Sequence, residues 1–275
     1  MLMGALGAAT ADDGAAQTPL ERGAYLVNGV MACANCHTPV DANGPVLSKA
    51  LAGGRLFDTP AFKVYASNIT PDRETGIGAW SEAELRSFLT TGIRPSKVPV
   101  APIMPVAFYK ALTLGDLNAV VGYLRSVQPV RNELPSADYR QPFAHQEAPF
   151  ANKAFREADL QVPAKRGMYL VTLGHCLECH TLMGKDGHDY GTAAGKGGRI
   201  FAGPWGESRS SNITAHSDAG LGNWTDDEIK RAITQGVSRD GRKLKPPMAF
   251  AAYARISPQD LDAIVAFLRT LKPLE

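Results

Sequence analysis

The sequence predicts an all-α chain made of two tandem copies of one helical domain, and three observations carry that expectation. The first is a self-match at an offset of 144 residues. Gly53-Gly54-Arg55 with Phe57 recurs as Gly197-Gly198-Arg199 with Phe201, and Ser67-Asn68-Ile69-Thr70 recurs as Ser211-Asn212-Ile213-Thr214. Gly76, Gly78, Trp80 and Met104 return as Gly220, Gly222, Trp224 and Met248. One long repeat means a duplicated domain rather than a solenoid of short units. The second observation is helical periodicity: Leu117, Val120, Val121 and Leu124 stand at i, i+3, i+4 and i+7, and Leu261, Ile264, Val265 and Leu268 repeat the stripe. The third is that no convincing alternating strand is visible. Composition agrees, since 275 residues at 44% hydrophobic and 20% charged suffice for two cored domains. With 29 Lys plus Arg against 27 Asp plus Glu, the net charge of +2 provides no basic face of the kind nucleic acid requires.

Taken in order, residues 1–19 read as a leader. Met1 to Ala11 are small or apolar and end in Ala9-Thr10-Ala11 before Asp12-Asp13, as in the h-region and cleavage site of a secretory signal. The basic n-region is missing, because no Lys or Arg precedes Arg22, and an Ala/Gly-rich disordered tail is the competing reading. A bilayer span takes about 20 apolar residues; this run stops at Asp12, so no transmembrane helix is expected in the mature chain. No membrane anchor is expected at the C-terminal Leu271-Lys272-Pro273-Leu274-Glu275. The first domain is expected over 20–126. Its opening helix enters through Tyr25-Leu26-Val27 and runs into Cys33 and Cys36. A capping box at Ser81 to Glu84 starts a helix that buries Leu85, Phe88 and Leu89, and Thr113 with Asp116 caps the last one. Residues 127–163 hold Pro129, Pro135, Pro142, Pro149 and Pro163, a composition expected to wrap the surface without regular structure. The second domain, 164–275, repeats the pattern with Tyr169-Leu170-Val171, Thr225 to Glu228, and Ser257 with Asp260. Thr38 to Lys63 and Thr181 to Gly206 are Gly-rich and poor in apolar residues, so something besides protein is expected to fill the core there.

The chemistry resides in Cys33-Ala34-Asn35-Cys36-His37 and Cys176-Leu177-Glu178-Cys179-His180. Both have the c-type haem attachment pattern. Two thiols one helical turn apart add to the two vinyl groups of one haem, and the adjacent His lies under the iron as an axial ligand. All four cysteines are consumed by two covalently attached haems. A shared zinc site would leave both histidines unexplained. A thioredoxin-type pair expects a βαβ context, and disulfides between near neighbours would explain neither the His residues nor the repeat.

The sixth ligand separates a carrier from an enzyme. Met104 and Met248 are the candidates, lying 67 and 68 residues after His37 and His180. Pro102 and Pro105 bracket the first and Pro246-Pro247 precede the second, so each thioether sits on a stiff, non-helical loop. The alternative fate is a methionine filling a core gap, which does not account for the proline-flanked repetition. Met31, Met168 and Met183 have no counterpart in the other copy, and His145, His175, His188 and His216 are likewise unpaired, His175 being a minor alternative ligand. Arg55, Arg199, Trp80 and Trp224 serve either buried propionates or a turn and a core, while Asn68 and Asn212 are placed to brace the ligand loops. Arg239, Arg242, Lys243 and Lys245, just before Met248, are either a steering patch for an acidic partner or a solvated loop.

Tyr65-Ala66-Ser67-Asn68-Ile69-Thr70-Pro71-Asp72, Thr75-Gly76-Ile77-Gly78-Ala79-Trp80-Ser81 and Pro102-Ile103-Met104-Pro105 resemble the cytochrome c subunits of bacterial membrane-associated alcohol, aldehyde and gluconate dehydrogenases. Related cytochromes accept electrons from molybdenum hydroxylases. The resemblance covers both repeats and implies two tandem class I cytochrome c domains, with His37 and Met104 on one iron and His180 and Met248 on the other. The alcohol dehydrogenase subunits usually carry three haems and a C-terminal membrane-associating segment; this sequence shows two CxxCH motifs. The expected function is a periplasmic di-haem electron carrier, soluble or peripheral at the inner membrane. It would take electrons from a quinoprotein, flavoprotein or molybdenum dehydrogenase subunit and relay them to a downstream acceptor. The competing class is a di-haem enzyme, a peroxidase or thiosulfate-oxidising cytochrome, which needs one labile axial position.

Overall fold

The computed structural model describes residues 17–42, 44–185, 187–203 and 205–275. The leader expected over 1–19 lies outside the described residues except for its last three positions. Thr18 caps the first helix, α1 (Pro19–Tyr25), through a reciprocal bond with Glu21. A π-turn, Leu26–Val30, extends it toward the single-turn α2 (Ala34–His37). Next come α3 (Glu82–Thr91), with both halves of the Ser81/Glu84 capping box formed, α4 (Val106–Tyr109) and α5 (Leu114–Ser126), capped by Thr113. The second copy repeats the order: α6 (Pro163–Leu173), α7 (Cys176–Cys179), α8 (Asp226–Gln235), α9 (Phe250–Tyr253) and α10 (Pro258–Leu268).

The all-α expectation is corrected by the structure, which is mixed helix and strand. The described residues include nine short strands in four small antiparallel sheets. In the first copy β1 (Val40–Asp41) pairs with β2 (Gly44–Pro45), and β3 (Leu56–Asp58) pairs with β4 (Phe62–Tyr65). In the second, β6 (Met183–Gly184) pairs with β7 (Gly187–His188), and β8 (Ile200–Gly203) with β9 (Gly206–Arg209). The proline-rich segment contributes β5 (Asp138–Tyr139), which joins β4, so that segment too holds regular structure. Strands of two to four residues are too short to show alternation. They form because backbone N–H and C=O groups in the Gly-rich loops need partners, and the nearest partner is the same loop folding back.

Within each copy the first and last helices cross at a glycine. A Cβ on Gly23 would meet the Ala119 carbonyl and Tyr123, and one on Gly167 would meet the Ala263 carbonyl and Phe267. Other brackets also recur. Arg125 donates to the Trp80 carbonyl and Arg269 to the Trp224 carbonyl. Asn68 donates to the Val130 carbonyl and Asn212 to the Leu274 carbonyl, which ties the chain following each last helix to the Ser-Asn-Ile-Thr turn. One apolar cluster runs through both copies, from Leu26, Val30 and Val120 to Tyr169, Leu173 and Val265. Among the described residues no helix is long and apolar enough to cross a membrane.

Candidate functional site

Each cysteine pair occupies one helical turn. The amide of His37 donates to the Cys33 carbonyl at 2.9 Å, and that of His180 to the Cys176 carbonyl at 3.0 Å. The turn holds its two cysteines one above another, as bonding to one flat group would require. All four thiols are unpaired and half-buried. Burial pushes Cys33, Cys176 and Cys179 up to about 12, and raises Cys36 as well. A redox-active pair shows the opposite, a thiol shifted downward toward thiolate. Among the described residues no group of three or more His, Cys, Asp or Glu is arranged to hold a metal ion.

The histidines carry the most informative geometry. His37 is buried, 7% exposed, and its Nδ1 lies 2.7 Å from the Ser67 carbonyl oxygen. His180 Nδ1 lies 2.7 Å from the Ser211 carbonyl. A carbonyl only accepts, so Nδ1 carries the proton in both rings and Nε2 presents its lone pair. Burial lowers both histidine pKa values, which keeps the imidazole neutral, while the carbonyl bond opposes this in part. Neutral imidazole with Nε2 free and Nδ1–H anchored is the form that ligates a metal, and the anchor raises the ligand's basicity. Backbone bonds fix the main chain of each histidine as well: Gly53 N–H donates to the His37 carbonyl and Gly197 N–H to the His180 carbonyl, each at 2.7 Å. The residues present fit a covalently attached haem in each copy.

Met104 and Met248 occupy equivalent turns. Met104 N–H donates to the Ala101 carbonyl, and the Met104 and Met248 carbonyls accept from Val106 and Phe250, the first residues of α4 and α9. Both side chains are half-buried against the apolar cluster. Met31 is core, 2% exposed, whereas Met183 is 55% exposed. His175 turns toward Glu178, its Nδ1 3.2 Å from a carboxylate oxygen, and toward the Phe108 ring.

The other repeated residues resolve as follows. Arg55 donates to the Asn35 carbonyl at 2.7 Å and Arg199 to the Glu178 carbonyl at 3.1 Å, so each arginine braces the middle of its Cys-x-x-Cys turn. Trp80 packs edge-on against Phe88. The Asn68 and Asn212 side chains also accept from the amides of Thr70 and Thr214, which makes both asparagines braces of the turns that follow Ser67 and Ser211. Arg239, Arg242, Lys243 and Lys245 are exposed, and the guanidinium groups of Arg239 and Arg242 lie 4.0 and 3.9 Å from the carboxylates of Glu228 and Asp240. Sequence reasoning passed over Tyr109 and Tyr253, buried at 2% and 9%, at the ends of α4 and α9. It also passed over Arg22, Tyr25, Arg166 and Tyr169 as side-chain partners. The signal was available, because all of these recur at the same offset of 144.

Residues 164–272 match the cytochrome c family model. Over 264 residues the chain is 33% identical to a nicotinate dehydrogenase subunit of Pseudomonas putida, covering 92% of this chain and 21% of that one. It is 31% identical over 280 residues to the cytochrome c subunit of the quinone alcohol dehydrogenase of Gluconobacter oxydans, covering 96% and 57%. A diheme cytochrome c-type protein of Cereibacter sphaeroides is 29% identical over 256 residues, covering 88% and 83%. The chain thus spans about a fifth and somewhat over half of the first two relatives.

Proposed function

Residues 164–272 are a cytochrome c domain, the kind that carries covalently bound haem c, and from that premise we propose that the whole chain is a periplasmic di-haem electron carrier. In this reading Cys33, Cys36, Cys176 and Cys179 would anchor the two haems, and His37 with Met104 and His180 with Met248 would ligate the irons. A dehydrogenase catalytic subunit (quinoprotein, flavoprotein or molybdenum enzyme) delivers the electrons, and a downstream acceptor takes them away. The observation that carries the reading is the duplicated histidine geometry, each Nδ1 held 2.7 Å from a serine carbonyl beside a cysteine pair. The relatives whose names include dehydrogenase cytochrome subunits support the donor class, and the diheme relative supports the count of two.

A haem bound at each site would supply a one-electron redox couple. Everything else falls to the chain. The serine carbonyls fix the imidazole tautomer, the arginine braces hold the attachment turns, and the proline-flanked loops present the thioethers. Methionine paired with histidine raises a haem's potential. No side chain has to act as acid, base or nucleophile.

The test is haem content, spectrum and potential on the purified full chain. Two haems per chain are expected, each showing the methionine-to-iron charge-transfer band when oxidised. Met104→Ala or Met248→Ala should abolish one band, open one iron to cyanide and lower one potential. Unchanged potentials in both variants would refute the ligand assignment, and a wild-type iron that binds cyanide at once would favour the enzyme class instead.

A further inference from the structure

The two copies are joined by a pair of crossed contacts. In the first copy Arg22 donates from Nε and Nη2 to the two carboxylate oxygens of Asp116, each at 2.8 Å, which ties α1 to α5. Tyr169, from the second copy, donates its hydroxyl to the same carboxylate at 2.6 Å and accepts from the Thr113 amide. The arrangement is repeated with the copies exchanged. Arg166 donates to Asp260 within the second copy, while Tyr25, from the first, donates to Asp260 at 2.5 Å and accepts from the Ser257 amide. All eight residues are related by the 144 offset. A contact in which i meets j′ and j meets i′ is the signature of a two-fold interface, here formed inside one chain. Asp116 and Asp260 are 5% and 1% exposed. A buried carboxylate depends on every donor it has, so each tyrosine is part of what lets the other copy keep its charge in place.

The same seam carries the attachment segments. Asn35, between Cys33 and Cys36, donates across it to the carbonyl of Pro247, the neighbour of Met248, at 3.3 Å. Phe108 of the first copy packs on the rings of His175 and Tyr190 of the second. Helix α4 packs on α6, and α9 packs on the π-turn that precedes Cys33.

We propose that Tyr25 and Tyr169 are positioning residues: by crossing to the other copy's buried aspartate they lock the two copies in one orientation and so set electron exchange between the two haem sites. The proposal rests on the di-haem reading above. The step it governs is a single-electron exchange, one iron being oxidised as the other is reduced, with no proton or further reactant.

The experiment uses the haem-loaded full chain with two double variants, Tyr25→Phe with Tyr169→Phe, and Tyr25→Asp with Tyr169→Asp. The second pair sets a carboxylate against each buried carboxylate. One electron is placed on the protein by flash photoreduction and its redistribution between the haems is timed. The charge-transfer bands report intact ligation, and hydrogen exchange of the Thr113 and Ser257 amides reports the seam. The Phe pair should raise amide exchange roughly tenfold, the worth of one charge-assisted hydrogen bond. The Asp pair should slow redistribution on the order of tenfold or more, because the rate follows the docked fraction, while both bands persist. Wild-type redistribution in the Asp pair with both bands present overturns the proposal. If the Asp pair loses its bands, the Phe pair decides, and unchanged amide exchange there overturns it equally. A wild-type chain that redistributes no electron overturns the carrier reading and the proposal together.

Discussion

Asp116 and Asp260 each accept from an arginine of their own copy and a tyrosine of the other, while their backbone amides donate to the caps of their own helices. Their arginines are themselves largely covered, at 20% and 28% side-chain exposure. Replacing either aspartate with Ala is therefore expected to destabilise the protein by about 3 kcal/mol, the cost of leaving one partner of a buried pair unmatched. Chemical denaturation of the two variants checks this, and a loss below about 1 kcal/mol, the size of an exposed pair, would show that the carboxylates are not holding buried charge. The two Cys-x-x-Cys-His motifs, by contrast, can be read one at a time. Cys-x-x-Cys-His is chemistry confined to a single helical turn, so its spacing is written in the chain. Met104 and Met248 stand out only as a pair, since a lone methionine more often fills a core.

At the scale of elements, the crossing of α1 over α5 and of α6 over α10 depends on Gly23 and Gly167. Their backbones touch the partner helix where a methyl group would meet a fixed carbonyl oxygen. Gly23→Ala or Gly167→Ala is expected to cost about 3 kcal/mol, the upper end of overpacking, because a helix backbone cannot yield as a side chain does. Scanning calorimetry on each variant measures it, and a neutral result would mean that the helices slide apart freely.

The proline-rich segment after α5 is also more than a spacer. His145 Nε2 donates to the Val100 carbonyl at 2.9 Å, and burial lowers its pKa below the ordinary 6.5. The unfolded chain then takes up the proton first. This contribution to stability is complete above pH 6.5 and is lost as pH falls through the lower folded value. Denaturation midpoints across that range should drop less in His145→Gln than in the wild type, and parallel curves would remove His145 from the account. The short strands escaped the sequence reading for a related reason: β1 and β2 are two residues each, and their pairing follows from loop closure rather than from any hydrophobic pattern.

For the whole molecule, the shared apolar cluster and the crossed clamps make the two copies one cooperative unit. A single calorimetric transition is expected for the wild type and two for the Tyr25→Asp/Tyr169→Asp variant. Two transitions in the wild type would mean that the copies fold independently. The sequence by itself determined the duplication, the helix caps and the two Cys-x-x-Cys-His motifs, because each depends on residues within a turn or on a match read directly by alignment. Only the tertiary structure decided that the Gly-rich loops pair as strands and that the copies meet face to face. An internal repeat states that two surfaces are alike, but not that they touch. Tyr25 and Asp260 are 235 residues apart in the chain, and packing alone brings them together.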